Sequence, residues 1–175
     1  MKSPISIDWH KVKEIPLGEG DWKSIKLYFD EANAGEFLDW ENCIYLFRLS
    51  PPYCVKYNEK ATPLIYVGSG AIKQRWASHR DWLISLGTTL PGVRYEVWIA
   101  QHSQFREIES DMLYEFKNWS RLLPLVNRKA ANPAKLTYGE NEIERIVDYD
   151  KRYSWALFPV RADLEEYYYI QSDGS

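Results

Sequence analysis

Between residues 43 and 121, short apolar runs and amphipathic stretches alternate in one fixed order, and that order narrows the folds open to the chain. CIYLFRL (43–49) is rich in β-branched and aromatic residues and ends in Ser50-Pro51-Pro52, so it reads as a strand closed by a turn. LIYVG (64–68) is a second strand, entered through Thr62-Pro63 and left through Gly68-Ser69-Gly70, and the loop of about 14 residues between the two permits an antiparallel pair. Residues 71–86 place Ile72, Trp76, Leu83 and Leu86 on one helical stripe, ended by Gly87. VRYEVWIA (93–100) alternates Val93, Tyr95, Val97 and Ile99 against Arg94, Glu96 and Trp98 after a Pro91-Gly92 turn, which gives a third strand. A second helix spans about 104–121, capped by Ser103 and stopped before Pro124. The order predicts a mixed α/β (α+β) domain with a small three-stranded antiparallel sheet flanked by helices.

The flanking regions are less regular. Ile5, Ile7 and Trp9 alternate like a short strand, and residues 25–37 form a helix interrupted by Gly35. After PLVN (124–127) the pattern predicts a short helix around 140–150, then edge strands in ALFPV and EEYYYI. With 175 residues, 20.7 kDa and 45% hydrophobic content, the chain suits one compact domain with appendages and buries a sizeable core. No apolar run approaches the roughly 20 residues of a membrane helix, and the first residues lack the apolar stretch of a secretory signal, so a soluble, cytoplasmic protein is expected. Cys43 and Cys54 lie in no metal-binding spacing and read as reduced core residues.

A net charge of −3 argues against coating nucleic acid by charge alone. The charge is unevenly spread. Lys+Arg against Asp+Glu is 8 to 10 over residues 1–60, 10 to 6 over 61–135 and 4 to 9 over 136–175, so the middle is +4 and the tail −5. A basic middle is commonly a solvated face; it also suits an anionic substrate. The acidic tail would then either screen that face or pack on the core through Ile143, Ile146, Val147, Trp155, Leu157 and Phe158.

GEGDWKS (18–24) lacks the third glycine and the spacing of a phosphate loop. Arg75 and His79, four apart, share one face of the first helix, His79 within the apolar stripe and Arg75 at its edge. Each alone has a structural reading, as a satisfied core histidine and a surface ion pair. On the second helix the stripe Phe105, Ile108, Met112, Phe116 and Trp119 has Glu115 at one edge and Glu109 at the other. A carboxylate held at such an edge binds a single divalent cation whose shell is completed by water and phosphate, as Mg²⁺ prefers. Tyr45 and Tyr66, on neighbouring strands, suggest phosphate chemistry only together with a cation such as Arg75.

CIY (43–45), YVG (66–68), Arg75 with His79 four later, Glu115 and Asn127 in PLVN occur in the order and approximate spacing of the GIY-YIG nuclease family, which the chain resembles over about residues 43–130. The resemblance divides the chain into an N-terminal extension (1–42), a nuclease-like core (43–130) and an acidic C-terminal extension (131–175). It implies a one-metal phosphodiester hydrolysis with Mg²⁺ or Mn²⁺, acting on nucleic acid and foremost on DNA. In that reading Tyr45 is the general base, Tyr66 positions water and phosphate, and Arg75 neutralises the scissile phosphate. His79 joins the hydrogen-bond network, Glu115 is the sole protein ligand of the metal, Lys73 assists substrate binding, and Asn127 braces the substrate site. The gap of twelve residues to Asn127 is why Glu115 is preferred to Glu109. Two positions depart from the family pattern: Cys43 stands where glycine is usual, and Ser69 where a lysine is common. No segment resembles a known DNA-binding module, so specificity would come from insertions, a homodimer or a partner protein. The alternative from another class is a non-catalytic module that keeps the fold to bind nucleic acid or protein.

Overall fold

The computed structural model describes residues 4–32, 34–37, 39–58, 60–140, 142, 147, 152–162 and 165–172, with side chains described as far as residue 157. Among the described residues, two sheets and three named α-helices make up a mixed α+β structure. The first sheet has four antiparallel strands: β1 (His10–Pro16), β2 (Cys43–Leu49), β5 (Leu64–Ser69) and β6 (Arg94–Gln101), in the order β1-β6-β2-β5. The three strands expected from the sequence are therefore neighbours, but the sheet is one strand wider than predicted. The addition comes from the N-terminal extension. Ile5 makes only an isolated bridge to Tyr138, and the pairing strand starts at His10, where Val12 and Ile15 enter the core on either side of a bulge with Glu14 at φ 64°.

Every residue of β2 is buried, because both faces of this central strand are covered. That is why its sequence is a continuous apolar run rather than an alternation. One face carries Tyr45 and Phe47. Phe47 packs edge-on to His79 and Trp82 of α2 (Ile72–Thr89), at 5.4 and 5.3 Å between ring centroids. Behind α2 lies α1 (Trp22–Glu31), started by the Asp21 carboxylate accepting from the Ser24 amide and anchored by Trp22 and Phe29 against Trp76. A short 3₁₀ turn at Gly35–Phe37 follows, so the predicted 25–37 helix is in fact two elements.

Three further corrections concern element ends. α2 does not stop at Gly87 but runs through it to Thr89, since Gly87 packs on Gly18: a Cβ there would lie 2.3 Å from the Gly18 Cα. α3 (Phe105–Ser120) starts without a side-chain cap, Ser103 included, and ends with Arg121 in the left-handed region at φ 65°. The expected loop between β2 and β5 is itself structured, as a hairpin of β3 (Tyr53–Tyr57) and β4 (Lys60–Thr62).

That hairpin opens the second sheet, β4-β3-β7-β8, in which β7 (Trp155–Ala162) runs parallel to β3 and β8 (Glu165–Ser172) forms the outer edge. The C-terminal extension thus completes a sheet begun inside the core region. Leu157 is fully buried, Val147 packs on the main core, and Tyr153 and Ala156 cluster with Cys54, whereas Trp155 is 40% exposed. Apart from residues 140, 142 and 147, the predicted helix around 140–150, with Ile143 and Ile146, and the side chains of Phe158, Asp163, Glu165 and Glu166 lie outside the described residues. Both cysteines are buried, and burial pushes the Cys43 thiol up to about 12.

Candidate active site

In the β2–β5 register Tyr45 stands opposite Gly68 and Phe47 opposite Tyr66, so the two tyrosine rings share the sheet face that α2 covers. Both rings lie over Gly68. A Cβ at that position would meet Tyr66 Cε1 at 2.5 Å and Tyr45 Cε2 at 2.8 Å, which gives the glycine two residues after Tyr66 a direct steric reason.

From α2, His79 enters between the phenols. Its ring centroid is 4.8 Å from that of Tyr66 and 5.6 Å from that of Tyr45, and its Nε2 lies 2.9 Å from the Tyr45 hydroxyl. The Trp82 indole N–H, 3.1 Å away, donates to Nδ1. An indole nitrogen can only donate, so Nδ1 carries no proton and the neutral ring bears its hydrogen on Nε2. His79 therefore donates to the Tyr45 oxygen, and Tyr45 turns its own hydrogen to Tyr66, with which it is hydrogen-bonded. The result is a directed chain: Trp82, His79, Tyr45, Tyr66. Burial, with the Arg75 guanidinium, pushes the His79 pKa down to about 4, which keeps the ring neutral.

Tyr45 is fully buried, and desolvation raises its pKa far above the ordinary phenol value. With its oxygen already accepting from His79 and its hydrogen committed to Tyr66, it does not present a free base to the surface. The central position of β2 closes over both of its faces. Tyr66 is half-buried, and its pKa is raised by burial and by Glu109 and lowered by Arg75.

The carboxylate of the cluster is Glu109, not Glu115. α3 packs against β5 and β2, and this docking brings the Glu109 edge of its stripe to Ser69, whose hydroxyl donates to the Glu109 carboxylate. Burial pushes the Glu109 pKa up, opposed by Ser69 and by Arg75. Glu115, six residues on, is turned by about 240° from it. It is exposed and bears instead on Tyr138, which donates to the buried Asp111 at 2.9 Å. Asp111 also accepts from the amides of Lys135 and Leu136, so this end of α3 is given over to anchoring the following coil.

Two other expected residues have partners of their own in the structure. The Asn127 side chain makes a two-way pairing with the Val67 backbone, donating to its carbonyl at 2.8 Å and accepting from its amide at 3.0 Å. It braces β5 with one amide N–H and one lone pair of its oxygen. Lys73 points to Asp39, 3.2 Å away at the surface, and does not enter the cluster. Arg75, by contrast, is exposed and has no carboxylate within ion-pair distance among the described residues. It lines a cleft of about 550 Å³ together with Ser69 and Gly70. Gly70, at φ 109°, keeps the wall open, since a Cβ there would press on the Arg75 Nε at 3.3 Å.

Among the described residues no three His, Cys, Asp or Glu side chains gather as a metal centre. A single carboxylate with one bonded oxygen and one remaining fits Mg²⁺ or Mn²⁺, which keep several waters and take further oxygens from phosphate. Sequence reasoning missed Trp82 and Ser69. The signal for Trp82 was present, an indole three residues after His79 on the same helical face; Ser69 registered only as a missing lysine. No protein family matches the sequence, and no curated protein or solved structure matches the chain.

Proposed function

We propose that the chain is a divalent-metal-dependent endonuclease that hydrolyses phosphodiester bonds in DNA, built on a core resembling the GIY-YIG nucleases. One observation supports this reading: two hydrogen-bonded tyrosines and a neutral histidine lie behind an arginine with no carboxylate in ion-pair distance among the described residues, and that arginine and Ser69, which bonds the Glu109 carboxylate, line one open cleft. Arg75 binds the scissile phosphate and offsets the charge that grows on it in the transition state. Tyr66 is the phenol left to meet the attacking water; Arg75 is the cation that favours its deprotonated form. Tyr45 and His79 hold the Tyr66 oxygen in place from behind. Glu109 would hold the metal, which when bound would polarise the phosphate and offset charge on the departing oxygen.

The test is plasmid cleavage with Mg²⁺, Mn²⁺ or EDTA by the wild type, Glu109→Gln and Glu115→Gln. Glu109→Gln loses about 100-fold or more in rate while DNA binding persists, and Glu115→Gln stays within a few-fold. Cleavage that survives EDTA, or a vigorous Glu109→Gln enzyme, overturns the metal assignment. Binding without any cleavage would favour the non-catalytic module.

A further inference from the structure

The cleft beside Arg75 has a second cationic wall. It is formed by the first turn of α3, where Phe105 and Arg106 face the first turn of α2 across Ser69 and Gly70. Its volume of about 550 Å³ exceeds what a single phosphate group needs and falls in the range, about 300–1,000 Å³, of sites for small organic groups. Two guanidiniums line it against one carboxylate, Glu41, so its balance favours an anion. Arg106 has no carboxylate within ion-pair distance among the described residues. It lies 5.3 Å from the centroid of the Phe105 ring, a cation–π contact that leaves its N–H donors free. Phe105 is half-buried and so offers a fixed apolar edge beside that charge.

We propose that Arg106 and Phe105 form a subsite for the nucleotide adjoining the cut, Arg106 taking its phosphate and Phe105 the apolar face of its sugar or base. This rests on the nuclease reading, in which Arg75 is committed to the scissile phosphate. The strand then crosses the cleft from the first turn of α2 to the first turn of α3. Arg106 is a binding residue, not a participant in bond cleavage.

The experiment measures binding of a fluorescent single-stranded DNA oligonucleotide in EDTA over a range of salt, and cleavage of the same strand in Mg²⁺. Arg106→Ala weakens binding about 5- to 20-fold and lowers the slope of log K against log[salt] by about one, and Arg106→Lys restores the slope. Phe105→Ala weakens binding without changing the slope. In cleavage, Arg106→Ala raises KM and leaves kcat within about two-fold. Lys117→Ala, at the far end of α3, alters none of these. If Arg106→Ala proves poorly folded, Arg106→Gln takes its place. A wild type that neither binds nor cuts DNA overturns the nuclease reading and the subsite with it. A wild type that binds and cuts, with Arg106 variants of unchanged affinity and slope, overturns the subsite alone.

Discussion

His79 is uncharged at neutral pH, and that makes it a source of pH-dependent stability. Its folded pKa of about 4 lies below the ordinary value of 6.5. As pH falls below 6.5 the unfolded chain takes up a proton that the folded chain refuses, so stability present above pH 6.5 is lost progressively down to about pH 4. Between pH 7 and pH 5 the loss amounts to about 2 kcal/mol. Denaturant unfolding at the two pH values checks this: wild type should lose about that much more than His79→Leu, whose own defect from unpairing Tyr45 and Trp82 is independent of pH. Equal losses in the two proteins would mean the ring is protonated inside the fold. The positions of His79 and Arg75 were legible from a spacing of four in a helix, and those of Tyr45 and Tyr66 from apolar runs bounded by turns. The choice between Glu109 and Glu115 was not. Periodicity places both at edges of the α3 stripe, and only the docking of α3 on β5 decides which edge meets the tyrosines.

Gly87 shows how an element can overrule its own local signals. A glycine inside an exposed helix is about 1 kcal/mol worse than alanine, so propensity alone favours Gly87→Ala. The contact opposes it: the added methyl carbon would lie 2.3 Å from the Gly18 Cα and 2.6 Å from the Leu17 carbonyl oxygen. Both are backbone atoms, in a turn where Gly18 sits at φ 100°, and neither yields as a flexible side chain would. The clash outweighs the propensity. Gly87→Ala should lower stability by about 1–3 kcal/mol, read as a shift in thermal or denaturant midpoint; a gain would show that the turn after β1 moves away from α2 freely. The same logic explains the sequence misreading. Gly87 looks like a helix terminator because nothing local reveals Gly18, 69 residues earlier, in close approach. The hairpin between β2 and β5 escaped notice for a related reason: its short strands are stabilised by partners elsewhere, and its turn uses Asn58 at φ 55° rather than a glycine.

At the scale of the whole molecule the acidic tail belongs to the scaffold. Residues 153–157 cover Cys54 and place Leu157 in the main core, and the amide of Leu136 and the hydroxyl of Tyr138 satisfy Asp111. Deleting 136–175 should therefore abolish cooperative unfolding and leave insoluble protein. A soluble truncated chain that binds DNA more tightly at low salt would restore the idea of an electrostatic screen. The charge pattern was legible in sequence, but a count of acidic residues says nothing about which strand they ride on. Of the apolar positions between them, Leu157 and Val147 pack on the core, while Trp155 stays 40% exposed.

The parallel pairing of β3 with β7 also sets an order in time. Val55 pairs with Leu157, so the strand that covers β3 is made 102 residues after it. At about 5–20 residues per second, the edge of β3 waits roughly 5–20 s on the ribosome for its partner. By then every residue of the proposed site has been synthesised. Strands β2, β5 and β6 can pair early, while the newborn chain still carries an open β3 edge that other chains could capture until β7 arrives.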